Sequence, residues 1–303
     1  MARNVRSAVV RPAQLQGVAC MEAHDDVGVL AAVFSGARGS SRHVGVELWH
    51  REEAQRLYRA ERRGLADELL SRRRAGLSLD DAYRVQWCGV ALRVGEGARI
   101  LGHKVGLTST AMQQQFGIDE PDSGVLLDYM NVADGGVLRV TGLLSPRVEA
   151  ELAFRLGTDL RGADVTEEDA GAAVAEVSLA LEVIDSRFDV QGVTLMDSVA
   201  DNAACARFVL GSGVPLSGWD LGGERLTLCM GASEVAAGDG RAVLGDPRRS
   251  VAWLARRLNA FGAGLKAGHV VLAGAVHASL PLPRGATLSV SSPSLPPVSL
   301  HVA

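Results

Sequence analysis

The stretches PRVEAELAF (146–154) and LALEVIDSR (179–187) decide how this chain folds and where its chemistry lies. In an extended strand successive side chains point to opposite faces, so Glu149 and Glu151 share one face. Glu182 lies in a second apolar, β-branched run that can lie beside the first. The pattern predicts two neighbouring strands that bring three carboxylates together.

Three convergent carboxylates repel one another unless a positive charge lies between them. A hard divalent cation with oxygen ligands, Mg²⁺ or Mn²⁺, is the simplest candidate. The ordinary alternative is that alternating Glu residues form the solvated face of a strand. Apolar residues occupy both the odd and the even positions beside these glutamates, which indicates that both faces of the strands are buried. Burying an unpaired carboxylate is costly. From these residues alone both interpretations stay open.

Composition limits the classes of function. The chain has 303 residues, enough for a sizeable core, and a net charge of −4 with 31 Lys and Arg against 35 Asp and Glu. We therefore predict no nucleic-acid partner. Apolar runs end well before the ~20 residues that cross a membrane, so no membrane association is predicted. The cysteines form no CxxC pair, which favours a reducing, cytoplasmic location; they are Cys20, Cys88, Cys205 and Cys229.

The chain divides into three predicted parts. Residues 1–46 lack apolar periodicity and are predicted to be a disordered extension. Residues 47–100 are predicted to be helical, with a capping box from Ser78 to Asp81, and residues 101–303 to form a β-rich catalytic domain. In that domain Thr166 begins a helix that continues through Val174 and Val177, and Asp246-Pro247 begins another. No Walker A, HExxH or GxSxG motif occurs, which disfavours phosphoryl transfer and serine hydrolysis.

From about Glu47 onward the chain resembles the fumarylacetoacetate hydrolase superfamily. Within it, the sequence is similar to the 2-keto-4-pentenoate hydratase (2-hydroxypenta-2,4-dienoate hydratase) branch and its sister 4-oxalocrotonate decarboxylases. The resemblance implies an α+β fold, in which a mostly antiparallel mixed β-sheet roll follows an N-terminal helical portion. The likeness rests on five blocks in the expected order: GHKVGLTSTAMQQQFGIDEPDSGVLLDYM (102–130), PRVEAELAF (146–154), LEVIDSR (181–187), DSVADNAACARFVLG (197–211) and AVLGDPRRSVAWLARRL (242–258).

The resemblance implies a metal centre. Members bind Mg²⁺ or Mn²⁺ through Glu-x-Glu and a later acidic residue, which by motif position are Glu149, Glu151 and Glu182. Three carboxylates leave coordination positions for water and for a substrate that chelates through its carboxylate and 2-oxo oxygen. The cation then acts as a Lewis acid that stabilises an enolate.

Three further residues receive roles from the same resemblance. Lys104, in GHKVG, is expected to face the metal pocket, although a lone Lys before Gly is ordinarily a surface charge. Asp122 is expected to act as an acid or base or to orient water, although Pro-Asp is also a common turn former. This carboxylate favours the hydratase branch over the decarboxylase branch. Arg187 is expected to bind the substrate carboxylate or to pair with a ligand.

The implied reaction is addition of water to a 2-hydroxy-2,4-dienoate, giving a 4-hydroxy-2-oxoalkanoate in meta-cleavage catabolism of aromatic compounds. Alternatives are a 4-oxalocrotonate-type decarboxylase, an acylpyruvate C–C hydrolase and a non-catalytic partner subunit. A homo-oligomer is expected, with a downstream aldolase or a decarboxylase as a further partner. The sequence departs from the family pattern in SSPSLPPVS (291–299), whose prolines predict weaker pairing of the terminal strands.

Overall fold

The structure is a computed structural model and describes residues 46–189, 191–216, 218 and 220–303. The predicted disordered extension (1–46) therefore lies outside the described residues, apart from Val46. The described chain begins with three helices, α1 (Leu48–Arg63), α2 (Leu70–Arg73) and α3 (Leu79–Gly95). The predicted N-terminal helical portion is thus confirmed.

Local signals account for the ends of these helices. Ser78 Oγ accepts a hydrogen bond from the Asp81 amide at 3.2 Å, and the Ser78 amide donates one to Asp81 Oδ2 at 3.2 Å, so the predicted capping box is present. Helix α1 ends at Gly64, whose left-handed conformation a glycine adopts without strain. The helices α1 and α3 then pack against each other at one side of the sheet.

The remaining helices are α4 (Thr110–Phe116), α5 (Glu167–Ala173), α6 (Leu195–Ala200) and α7 (Arg248–Ala260). The strands are β1 (Ile100–Gly106), β2 (Asp122–Leu127), β3 (Asn131–Val132), β4 (Val137–Leu138), β5 (Arg147–Leu156), β6 (Val174–Ile184), β7 (Cys205–Leu210), β8 (Val214–Pro215), β9 (Arg225–Met230), β10 (Ser233–Asp239), β11 (Val270–Ala275), β12 (Leu280–Pro281), β13 (Thr287–Ser291) and β14 (Val298–Val302). The prediction that Val174 and Val177 continue a helix is wrong, because both belong to β6.

The described strands form two sheets with mostly antiparallel pairing. The nine-stranded sheet has the order β2-β1-β11-β5-β6-β7-β3, with β12 paired to β5 and β8 to β6. The five-stranded sheet has the order β10-β9-β13-β14-β4. The predicted α+β class with a mixed sheet is confirmed, and none of the described helices combines the length and apolar character needed to cross a bilayer.

The register of the nine-stranded sheet decides which side chains share a face. Glu149 on β5 is directly opposite Glu182 on β6. Lys104 pairs with Leu272, which pairs with Ala153, two residues from Glu151 along β5. Since residues in register or two apart share a face, Lys104 and the three glutamates lie on one side. We call this side the carboxylate face.

The C-terminal hairpin keeps its pairing. Strands β13 and β14 pair antiparallel over four residue pairs, from Thr287–His301 to Val290–Val298. The prolines Pro293, Pro296 and Pro297 all lie between the two strands, where no ladder donor is needed. The prediction that these prolines weaken terminal pairing is therefore wrong.

Candidate metal centre and substrate cavity

The three predicted carboxylates converge. Glu149, Glu151 and Glu182 each offer an oxygen atom, and these atoms lie within 4.8 Å of one another. All three side chains are buried, with Glu151 and Glu182 fully inaccessible. The interpretation of Glu149 and Glu151 as a solvated strand face is therefore excluded.

Burial and mutual repulsion make this cluster unfavourable without a counter-charge. Burial, together with the neighbouring Glu182 charge, raises the pKa of Glu149 to about 8. The same causes raise the pKa of Glu151 well above its ordinary value, and burial also raises that of Glu182. One oxygen each of Glu149 and Glu151, and both oxygens of Glu182, find no hydrogen-bond partner among the described residues.

These observations fit a hard divalent cation. Carboxylate oxygens are the ligands that Mg²⁺ and Mn²⁺ take, and a buried carboxylate needs a partner of opposite charge. The backbone fixes one ligand, because the Gly274 amide donates to Glu151 Oε2 at 2.8 Å. Gly274 lies where the pairing of β11 with β5 shifts register, between Leu272 and Ala275. It has φ +116°, and a Cβ there would lie 1.9 Å from Thr108 Oγ1, so a glycine is required at this position.

Lys104 lies beside the cluster, as the family motif predicts. Its Nζ is 3.6 Å from Glu182 Oε2, and the side chain is buried. Burial alone would lower the pKa of Lys104, but the carboxylates of Glu182 and Asp122 raise it above its usual value. The ammonium group therefore stays charged and offsets part of the negative charge.

Asp122 begins β2 and reaches the same cavity from the neighbouring strand. Its Oδ2 accepts a hydrogen bond from Ser198 Oγ at 2.6 Å, while Oδ1 has no hydrogen-bond partner among the described residues. A Cβ on Gly106 would lie 2.3 Å from this Oδ1 and 2.9 Å from Lys104 Nζ. The glycine therefore leaves the space between the lysine and the aspartate open.

Arg187 is placed differently from its predicted role. Its Nε donates to Asp201 Oδ1 at 2.6 Å, and its Nη1 donates to the carbonyl oxygens of Asp185 and Cys205. The side chain is buried behind the cavity wall and does not line the cavity that contains Lys104 and Asp122. The structure thus gives Arg187 a supporting position, holding the loop that carries Asp201, rather than a position against a substrate.

That loop continues into an unusual backbone segment. Asn202, Ala203 and Ala204 all have φ between 51° and 55°, which is costly for residues other than glycine. The Asn202 amide compensates by bonding both the N–H and the C=O of Val125, at 2.8 and 3.0 Å. Ala203 and Ala204 line the cavity, so small side chains here leave room for a ligand.

Sequence reasoning missed the opposite wall of the cavity. Its side chains are apolar. Leu107, Met112, Phe116 and Ile118 come from α4 and the residues on either side of it, Ile184 from the end of β6, and Val193 from the loop before α6. The signal was present, because Met112 and Phe116 are four residues apart and so share one helix face. Ser198, the partner of Asp122, was also missed.

Comparisons with known proteins show the family of the chain. The family described as "Fumarylacetoacetate (FAA) hydrolase C-terminal" matches residues 123–303. A 2-hydroxyhexa-2,4-dienoate hydratase of Comamonas testosteroni is 37% identical over 236 residues, covering 77% of this chain and 89% of that protein. A 2-keto-4-pentenoate hydratase of Paraburkholderia xenovorans (strain LB400) is 40% identical over 227 residues, covering 74% of this chain and 84% of that protein.

Among solved structures, a 4-oxalocrotonate decarboxylase from Pseudomonas putida G7, complexed with magnesium and adipate, superposes with a TM-score of 0.82. It is 32% identical, and the match covers 87% of this chain and all of that one. The same enzyme has also been solved with calcium and acetate. A protein with this fold has thus been solved with magnesium and with calcium.

Proposed function

The chain belongs to the fumarylacetoacetate hydrolase family, and from this premise and the geometry of the site we propose that it is a metal-dependent hydratase of 2-hydroxy-2,4-dienoates. The product is a 4-hydroxy-2-oxoalkanoate, and the setting is meta-cleavage catabolism of aromatic compounds. The observation that carries the proposal is the buried cluster of Glu149, Glu151 and Glu182 with Lys104 and Asp122 on one cavity. The similarity to two curated dienoate hydratases supports the choice of substrate.

Glu149, Glu151 and Glu182 would hold Mg²⁺ or Mn²⁺. When bound, the cation supplies Lewis acidity toward the carboxylate and 2-oxygen of the substrate. Lys104 carries a positive charge on the same face and is placed to attract the anionic end of the substrate. Since the site is buried, this attraction acts in a medium of low dielectric and is stronger than it would be in water.

We assign the proton transfer to Asp122. Its unpartnered Oδ1 faces the gap beside Gly106, and Ser198 fixes the other oxygen. In the proposed reaction a proton is added at C5 of the dienolate, giving a 2-oxo-3-enoate. Water then adds at C4 and gives up one proton, and C3 of the resulting enolate takes up a proton to give the 4-hydroxy-2-oxoalkanoate. Asp122 orients this water or accepts its proton, and Lys104 lies beside the same gap at Gly106. Arg187 holds the loop of Asp201 in place.

The decarboxylase remains the second candidate, because the superposed decarboxylase matches over its whole length. Decarboxylation of a 2-oxo-dicarboxylate passes through the same enolate and needs the same cation. An acylpyruvate hydrolase and a non-catalytic partner subunit are the remaining alternatives. The expected homo-oligomer and the complex with an aldolase or decarboxylase stay predictions.

One assay separates these candidates. Purified protein with Mg²⁺ is given 2-hydroxypenta-2,4-dienoate or 2-oxohex-3-enedioate, and ultraviolet absorbance and released CO₂ are followed. A hydratase consumes the dienoate without CO₂ release and loses this turnover when the metal is chelated. Release of CO₂ from the dicarboxylate would identify the decarboxylase instead. No metal-dependent turnover of either compound would leave the acylpyruvate hydrolase and the partner subunit, and metal-dependent cleavage of an acylpyruvate would then identify the hydrolase.

A further inference from the structure

The cavity has two ends of opposite chemistry. One end carries the charged groups Lys104, Asp122 and Glu149, and a fourth charged lining residue, Asp201, is paired with Arg187. The other end, which we call the apolar end, is formed by Leu107, Met112, Phe116 and Ile118, which pack together in one hydrophobic cluster. A substrate that places its carboxylate and 2-oxygen at the charged end therefore extends its remote carbons toward the apolar end.

The apolar end is separate from the core of the protein. Leu107, Met112, Ile118 and Ala275 form their own hydrophobic cluster, with Phe116 and Leu195 packed against it. The main core contains none of the four buried members of this cluster. Since these apolar side chains add nothing to the main core and line the cavity, their arrangement serves the cavity.

Several contacts fix this wall in place. Leu107 adopts φ 56°, a strained conformation for a branched residue, and its carbonyl accepts a bond from Gln113 Nε2 at 3.0 Å. On the other side of α4, Gln115 Oε1 accepts hydrogen bonds from the backbone N–H and the hydroxyl of Ser279, each at 3.1 Å. The helix is thus anchored at two points, with Met112 and Phe116 directed to the cavity.

The charges around the apolar end disfavour an anion. Among the described residues that line the cavity, Lys104 is the one cation, and it lies at the charged end. Residues 107–121 contain no Lys or Arg, while Asp119 and Glu120 are exposed directly after Ile118. The nearby Arg147 donates to Ser279 and does not line the cavity. A second carboxylate at this end would meet no cationic partner among the described residues that line the cavity and would lose hydration.

We propose that Met112, Phe116 and Ile118 are specificity-determining residues that bind an uncharged alkyl end of the substrate and exclude a second carboxylate. This inference rests on the proposed function, because it takes the charged end to hold C1 and C2. It distinguishes this site from that of an enzyme whose substrate is a dicarboxylate, although the two share a fold.

Binding of unreactive 2-oxo acids tests the inference without turnover. The full-length protein with Mn²⁺ is titrated calorimetrically with pyruvate, 2-oxohexanoate and 2-oxoadipate. Pyruvate reports the charged end alone, and the two longer acids have equal carbon number but differ in their remote group. Each buried methylene adds a factor of about four in affinity, so 2-oxohexanoate is expected to bind ~10-fold or more tighter than pyruvate. 2-Oxoadipate is expected to bind no tighter than pyruvate.

A gain of binding completes the test. Phe116→Lys places a cation at the apolar end and should strengthen binding of 2-oxoadipate by about 10-fold. Gln114→Lys adds the same charge to an exposed position of α4 and should change nothing. Phe116→Ala should remove most of the advantage of 2-oxohexanoate and leave the affinity for pyruvate as it is.

The outcomes separate this inference from the function it rests on. Failure of pyruvate to bind the Mn²⁺ protein would overturn the proposed function, and the inference with it. Binding of pyruvate with equal or greater affinity for 2-oxoadipate than for 2-oxohexanoate would overturn the inference alone. The same conclusion would follow if Phe116→Lys and Gln114→Lys gave equal affinities for 2-oxoadipate.

Discussion

His103 and Lys104 are neighbours on β1, yet their side chains enter opposite environments on the two faces of the nine-stranded sheet. Lys104 lies on the carboxylate face, 3.6 Å from Glu182. His103 pairs in register with Val271, which pairs with Phe154, and its ring lies near those of Trp87 and His269. We call this second side the core face. Both faces exclude water, but only the carboxylate face concentrates charge.

The difference teaches how stability and chemistry are divided in this sheet. On the core face, apolar contacts stabilise the fold and an ionisable group is held neutral. On the carboxylate face, like charges are buried together, which opposes folding until a cation binds. Substitutions on the core face should therefore lower stability and leave metal binding unchanged. Substitutions on the carboxylate face should lower metal affinity and turnover without lowering stability.

The largest effect is expected for Glu151→Gln. Loss of one ligand should lower Mn²⁺ affinity and reduce turnover by about 10³-fold or more, since Lewis-acid stabilisation is worth several kcal/mol. The metal-free variant should unfold at the same temperature as the wild type or higher, because the substitution removes the cost of burying or protonating Glu151 beside two other carboxylates. Calorimetry with Mn²⁺ and thermal unfolding measure both, with Glu234→Gln on the exposed strand β10 as the control. Unchanged Mn²⁺ affinity would contradict the three-carboxylate site.

The opposite signature is expected for Phe154→Ala. Phe154 is fully buried on the core face, three residues along β5 from Glu151. Truncating a buried Phe costs about 3–5 kcal/mol of unfolding free energy. Denaturant unfolding should show this loss, while the folded variant keeps its Mn²⁺ affinity. A large loss of metal affinity with unchanged stability would mean that the two faces are not energetically separate.

Asp122→Asn tests whether a residue at the metal site can affect the rate of hydration without affecting metal affinity. If Asp122 assists water addition, this change should slow hydration by about 10²-fold or more, as for a positioned acid or base. Mn²⁺ affinity should remain near that of the wild type, since Asp122 is not assigned as a ligand. Steady-state rates and calorimetry test the pair of expectations. A fully active variant would reduce Asp122 to a turn former and remove the main support for hydratase over decarboxylase.

The carboxylate face was predictable because its cause is local. Alternation along β5 places Glu149 and Glu151 together whatever the rest of the chain does, and one strand pairing adds Glu182. The capping box at Ser78 is local in the same sense. The role of Lys104 was accessible only through resemblance to a family, because a Lys before a Gly carries no directional signal of its own.

The errors arose where tertiary structure decides. Val174 and Val177 fit a helical spacing, but pairing of β6 with β5 extends the strand to Val174. Arg187 follows β6 in an irregular loop, where no periodicity indicates which way a side chain points. The apolar end of the cavity exists only because α4 packs onto Ser279, 164 residues after Gln115.

The smallest effect, and one that sharpens the comparison, concerns His103. Burial and the neighbouring His269 lower the pKa of His103 to about 3. In the unfolded chain the group binds a proton near pH 6.5, whereas the folded protein resists protonation until about pH 3. The unfolded state therefore binds more protons in this window, and stability falls as pH decreases from about 6.5 toward 3. Above pH 6.5 the residue contributes no pH dependence.

Substitution His103→Gln removes this titration and keeps a hydrogen-bond donor. At pH 5 the wild type should have lost about 2 kcal/mol through His103 relative to pH 7, at ~1.4 kcal/mol per pH unit. The variant should lack that part of the loss, so the difference in unfolding free energy between the two proteins should change with pH. Urea unfolding at pH 5, 6 and 7 measures it. A pH-independent difference would show that His103 is solvated or already charged in the folded state, which would remove the contrast with Lys104.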